Sequence, residues 1–154
     1  MTTNSPPAQS TVVSDAVGAT DEPANDTVEL DDAACWRLLG GTGIGRIAIA
    51  VDDGVDIFPI DYLANDGRIY FRSAPGRKIV ELTNSPRIAF EADDRTMLAR
   101  WSVVVRGTVQ RLNSDAKIAS SGIQSLTSWQ PGDKFNYFEI RPEQVSGRFI
   151  RPRR

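Results

Sequence analysis

The sequence predicts a mainly β protein with a few helices, built as a six-stranded antiparallel split β-barrel. Three observations carry this. Six runs rich in β-branched and aromatic residues follow one another from Ile44 onward, mostly joined by short turns. Asp53-Gly54 and Asp66-Gly67 supply hairpin-type turns between the first three of them. Gly107 lies inside the long run Trp101–Leu112, where a barrel strand has to turn a corner. Closing or splitting such a sheet into a barrel also removes the edges it would otherwise expose.

The 154 residues suffice for one domain of ordinary size with a real core. At 40% apolar and 25% charged residues the composition is globular, but the charge is unevenly placed. The first 32 residues hold seven acids and no base, so the rest carries 18 bases against 13 acids, a net charge of +5. That modest excess suits a phosphorylated small molecule better than a polynucleotide, which calls for a basic stripe. Residues 1–28 are rich in Ser, Thr, Pro, Ala and acid and lack aromatic side chains, so they read as a disordered acidic leader ahead of a domain spanning 29–154. The sequence has no histidine and one cysteine, Cys35. Ser-His-Asp and Cys-His catalysis, an internal disulfide, and a zinc or iron site built from this chain alone are thereby excluded. No apolar run of membrane-spanning length and no signal-peptide pattern occurs, which predicts a soluble, cytoplasmic protein.

Taken in order, LDDAACWRLLGG places Asp31 or Asp32 as the N-cap of a short helix with Ala34, Trp36, Leu38 and Leu39 on its apolar face, ended by Gly40-Gly41. Cys35 on it reads as a small buried hydrophobe, since no base is available to activate it. The glycines of GGTGIG precede a strand, whereas those of a dinucleotide fingerprint follow one and open a helix, so that motif is rejected. Strands follow over Ile44–Val51, Val55–Leu63 and Arg68–Arg72. Pro59 removes a ladder donor from the second, which marks a bulge or a place where the sheet opens toward a ligand. Arg87–Asp93 and Trp101–Leu112 are the fourth and fifth strands, with a loop at Asp94–Ala99. A marginal helix over Asp115–Leu126, capped by Ser114, precedes the last strand, KFNYFEI, which runs through Arg141-Pro142 into VSGRFI.

The stretch GRIYFRSAPGRKIVEL, Gly67–Leu82, carries the chemistry. It reads as a strand, a polar turn at Pro75-Gly76 and a helix opening at Arg77 and Lys78. Arg72, Ser73, Arg77 and Lys78 would then gather where helix-start N–H groups also point, a corner suited to phosphate. A solvated basic helix start is the competing reading of the same residues.

The order IGRIAIAVDDGVDIFPIDY, GRIYFRSAPGRKIVEL, SPRIAFEAD, WSVVVRGTV and WQPGDKFNYFEIRPEQVSGRFI resembles the pyridoxamine 5'-phosphate oxidase-like family, the FMN-binding split β-barrels. The resemblance spans about residues 30–150 and implies a homodimer with flavin in clefts between two barrels. It implies that Arg72, Ser73, Arg77 and Lys78 hold the flavin phosphate and that Phe58, Pro59, Ile60 and Asp61 run beside the isoalloxazine ring. It also places Trp101 and Ser102 near the ring. Trp101 departs from the Gln of the true oxidase, and the missing histidine argues against pyridoxamine phosphate as substrate. The function expected is therefore an FMN-dependent oxidoreductase acting on a small molecule, with redox chemistry supplied by the cofactor and no catalytic side chain singled out. A deazaflavin in place of FMN, and a non-catalytic module that stores, senses or delivers flavin or haem, are the alternatives; haem lacks its usual axial histidine here.

Overall fold

The computed structural model describes residues 26–76, 82, 86–126 and 136–152. Seven antiparallel strands form one sheet: β1 (Asp26–Leu30), β2 (Thr42–Val51), β3 (Gly54–Asn65), β4 (Arg68–Ser73), β5 (Arg87–Arg95), β6 (Arg100–Arg111) and β7 (Asn136–Arg151). They are ordered β1-β7-β4-β3-β2-β5-β6, and a further β7–β6 ladder joins the last strand back to the second. Strands β2 to β7 thus close the expected six-membered ring.

The seventh strand is β1, which lies partly within the stretch expected to be leader. Its first three residues, Asp26, Thr27 and Val28, fall in that stretch. Its sequence, DTVEL, carries no core signal because only Leu30 is even partly buried. It is held by backbone pairing, Asp26↔Arg151 to Leu30↔Gly147, along β7. That strand is long enough to serve two neighbours on one side. Its first part pairs with β4 over Asn136–Ile140, and its last part pairs with β1.

The turns follow local chemistry. Asp66 and Gly67 adopt φ of 49° and 66°, the left-handed pair that a two-residue hairpin needs, between Asn65 and Arg68. Val51 pairs with Gly54, so the preceding hairpin turns on Asp52-Asp53 rather than on Asp53-Gly54. The expected Gly107 corner is present. The β6–β7 register shifts there, with Arg106↔Gln144 followed by Gly107↔Pro142, which leaves Glu143 as the extra residue of a bulge.

Helix α1 (Asp32–Leu39) is capped by Asp31, whose carboxylate accepts from the Ala34 N–H at 2.7 Å, and ends at Gly40 with φ 63°. Cys35 on its inner face is fully buried, and that burial, reinforced by Asp32 and Asp31, pushes its thiol pKa up. It is the inert hydrophobe the sequence suggested. Helix α2 (Asp115–Ser121), capped by Ser114, is about half the expected length. Gly122 takes the left-handed conformation, and a 3-10 turn over Ile123–Ser125 follows.

The ring is filled by alternate residues of every strand. Tyr62 meets Phe90 edge-on at 5.1 Å between ring centres, and Phe71 stacks on Phe138 at 5.1 Å. A smaller cluster of Tyr70, Leu112, Ile123 and Leu126 packs the α2 region against the outside of β4. Trp36 is partly buried against the main core, as expected; Trp129 lies outside the described residues.

One polar network on that outer side centres on a buried carboxylate. Glu139, 6% exposed at its side chain, accepts from Arg68 and, at 2.8 Å, from Arg141. Burial works to raise its pKa, but the hydrogen bonds and charges of Arg141 and Arg68 outweigh it, and the carboxyl lies below the ordinary glutamate value. A group depressed in the folded state contributes stability that is complete above its unfolded pKa, about 4.3, and is lost as pH falls through the folded value. Glu139→Gln is expected to lower the urea midpoint at neutral pH, at a cost of about 1–2 kcal/mol. The gap to the unchanged protein should narrow below about pH 4. A gap that stays constant with pH would show that the charge of Glu139 plays no part.

Candidate functional site

The site begins where a ladder stops. Strands β3 and β4 pair from Asn65↔Arg68 only as far as Tyr62↔Phe71. Beyond that pair the strands part: Asp61 and Ile60 continue along β3, while Arg72 and Ser73 continue along β4, which there pairs with Tyr137 and Asn136 of β7. Among the described residues no strand pairs with the outer edge of β3 from Gly54 to Asp61. Pro59 lies in this stretch. It faces Arg46 in an unbroken β2–β3 register, so it makes no bulge, and its missing N–H costs nothing on an edge strand. Of the two expectations for Pro59, the opening of the sheet is the one realised.

The fork therefore has two lips. On one are Phe58, Pro59, Ile60 and Asp61; on the other are Arg72 and Ser73. Side chains alternate along each strand. Ile60 and Phe58 point into the barrel, Ile60 at 5% exposure and Phe58 packed against the core. Pro59 and Asp61 lie on the outer face.

On β4, Phe71 and Ser73 share the core side, while Arg72 leaves from the same face as Tyr70, over the 3-10 turn. Its Nη2 donates to the Leu126 carbonyl, the residue that ends that turn. The Ser73 hydroxyl donates to the Ala74 carbonyl at 3.2 Å. Arg72 and Ser73 are therefore neighbours in the chain but leave the strand on opposite faces. Arg77 and Lys78 lie outside the described residues.

Trp101 and Ser102 divide in the same way. Trp101 packs partly buried against the core, and Ser102 lies on the outer face. Registers across the sheet set Asp61 opposite Ile44, and Ser102 opposite both Asp93 and Arg148. At about 4.8 Å per strand, Asp61 on β3 and Ser102 on β6 stand roughly 14 Å apart on one surface. The six candidates that the structure describes besides Arg72 and Ser73 thus split into an outer group (Pro59, Asp61, Ser102) and an inner group (Phe58, Ile60, Trp101).

Two features of this outer surface were not read from the sequence. Arg46, between Ile44 and Ala48, donates from Nη1 to Glu91 at 2.6 Å and to Asp93 at 2.8 Å. The signal was available: a lone arginine at an outward position of an otherwise apolar strand has its partners one strand away. Arg148 makes no ion pair among the described residues. It lines a groove of about 400 Å³ with Ser102, Glu29 and Val104.

A closed six-strand ring that splits between two neighbouring strands defines the class of this molecule, a split β-barrel. Comparison then fixes the family. The pyridoxamine 5'-phosphate oxidase family model matches residues 31–149, and the chain belongs to that family. It is 31% identical to a pyridoxamine 5'-phosphate oxidase-like protein of Corynebacterium glutamicum, covering 82% of this chain and 99% of the other with a TM-score of 0.74. An FAD-binding protein of Mycobacterium smegmatis is 32% identical over 80% of this chain and 98% of its own, TM-score 0.70. An FAD-binding protein of Mesorhizobium loti is 30% identical over 80% and 97%, TM-score 0.71. No helix among the described residues is long and apolar enough to cross a membrane.

Proposed function

We propose that this chain is a flavin-dependent oxidoreductase that works as a homodimer on a small molecule, with the flavin phosphate at the β3–β4 fork. The observation that carries the reading is the fork itself, which opens beside a half-buried guanidinium and a strand edge along which no strand pairs among the described residues. The residues present fit a phosphate-bearing ring system. Arg72 supplies a fixed charge, with Arg77 and Lys78 following it in sequence, and the Phe58–Asp61 segment supplies backbone groups for the polar edge of a ring. FMN is the cofactor proposed. FAD shares its phosphoriboflavin part, and two relatives at 30–32% identity carry FAD-binding names, which supports a flavin at this place.

When bound, the flavin supplies hydride chemistry, which requires no histidine from the protein. The chain's own part is to grip the phosphate, to orient the ring along β3, and to keep water from its inner side with Ile60 and Phe58. Asp61, half-buried at the lip, is the carboxyl placed to hold a proton at the outer edge.

The test is to mix the purified protein with FMN, FAD or a deazaflavin in turn, remove the excess, and record the visible spectrum and melting temperature. Retained FMN absorption with a raised melting point is the expected result. Retention of FAD or deazaflavin alone would correct the cofactor, and retention of none would overturn the function. Two of the relatives are described only by what they bind, so a non-catalytic carrier of flavin is the second reading. Reduced nicotinamide added to the loaded protein separates the two, because a carrier bleaches no faster than free flavin.

A further inference from the structure

A hollow of about 680 Å³ lies at the tip of the β5–β6 hairpin, lined by Arg95, Met97, Ala99, Arg100, Ile150 and Pro152. Arg95 and Arg100 stand directly opposite each other across the two strands. Like charges so placed oppose the pairing of their strands. Neither makes an ion pair among the described residues, and no acid among them lines the hollow. The two acids next to Arg95 in the chain are engaged elsewhere. Asp93 accepts from Arg46 at 2.8 Å, and Asp94, which leaves from the opposite face, accepts from the Arg95 N–H at 2.7 Å. Beside the two arginines Met97 is 99% exposed.

The chain itself carries the complementary charge. Residues 1–25 hold Asp15, Asp21 and Glu22 and no Lys or Arg. They join the barrel at Asp26, which pairs with Arg151, one residue short of Pro152 on the rim of the hollow. The register carries one row straight across three ladders: Thr27 faces Ile150, Ile150 faces Arg100, and Arg100 faces Arg95. At about 4.8 Å per strand, Arg100 stands roughly 10 Å and Arg95 roughly 14 Å from Thr27. Glu22 and Asp21 precede Thr27 by five and six residues, and an extended chain of that length spans about 17–20 Å. Both carboxylates therefore reach both guanidiniums. Tethered so closely, they meet the arginines at an effective concentration on the order of millimolar.

We infer that the acidic segment preceding β1 folds back across the end of β7 as a strap, seating Asp21 and Glu22 on Arg95 and Arg100. Charge-assisted bonds to the two guanidiniums relieve their mutual repulsion, and Val17 and Ala19 of the segment come within reach of Met97. The strap lies on the face that carries Ser102, so an anionic small molecule reaches the start of β6 only by displacing it. The contact is made within one chain and stands whether or not a flavin binds.

Disulfide trapping in the full chain tests the strap. A variant carrying Pro23→Cys and Ala99→Cys keeps both acids and both arginines, and Cys35, fully buried, takes no part. Under mild oxidation it is expected to close a reducible bond within one chain. Closure should be at least about fivefold faster than in the same variant with Asp21→Asn and Glu22→Gln, and about 0.5 M salt should remove the difference. Neutralising those acids eases thiolate formation at the neighbouring position 23, so slower closure cannot come from thiol chemistry. Equal rates with and without the acids would overturn the strap, as would a product linked between two chains. Melting temperature supplies a second readout on chains without added thiols. Arg100→Gln is expected to lower it by about 2 °C in the unchanged chain, where an ion pair is lost. In the Asp21→Asn, Glu22→Gln background the same substitution should raise it, because there it only removes one of two opposed like charges. The same shift in both backgrounds would show that the segment does not sit on Arg100.

Discussion

Replacing Gly107 by alanine is expected to destabilise the fold by about 3 kcal/mol, seen as a fall in melting temperature of roughly 10 °C. The reason is space. A Cβ built at Gly107 would stand 2.0 Å from the Arg141 carbonyl oxygen and 3.1 Å from the Pro142 Cα, both backbone atoms that no rotamer change can move. The neighbouring strand can yield only by giving up the bulge at Glu143, and with it the Arg87–Glu143 contact at 2.9 Å. Alanine in place of Gly54, which has nothing within 4 Å of such a Cβ, is the control and should be nearly silent. A Gly107→Ala protein as stable as that control would show that the β6–β7 corner is plastic.

The second large effect concerns the cofactor. Arg72→Ala with Lys78→Ala is expected to weaken flavin binding by on the order of 2 kcal/mol or more, roughly thirtyfold in Kd. Arg72 also holds the Leu126 carbonyl, so part of any loss could come from a loosened 3-10 turn. The pair of single variants separates the causes. Lys78→Ala should lower affinity without touching the melting temperature of the flavin-free protein, while Arg72→Ala should lower both. Titration of the unloaded protein with FMN at two salt concentrations reads the charge contribution directly. Unchanged affinity in the double variant would refute the phosphate assignment and leave the barrel intact.

The parts of this fold that sequence revealed are those where one residue type is demanded by local geometry. Asp66-Gly67 is the left-handed pair of a hairpin, Asp31 caps α1, and Gly107 marks the corner, because each answers to its own few neighbours. Strand β1 was hidden for the opposite reason. Its stability comes from backbone bonds to residues about 120 positions away, which leave no trace in its side chains.

The candidate site was legible as a list but not as an arrangement. Alternation along β4 sends Arg72 and Ser73 to opposite faces, and alternation along β6 does the same to Trp101 and Ser102. Adjacent numbers had suggested a single cluster. Conversely, Arg46 on an apolar strand signals a partner one strand away, but that the partners are Glu91 and Asp93 follows only from the register.

The double service of β7 has a consequence for how the chain acquires its shape. Strand β7 is the one that β4, β6 and β1 all require, so the circuit closes only after the chain has been made through Arg151. The nascent protein should wait as a curled β2–β6 ribbon with two raw edges, and contacts of such long sequence separation place its final step in the millisecond-to-second range rather than in microseconds. Chaperone dependence during expression is the everyday form that delay would take.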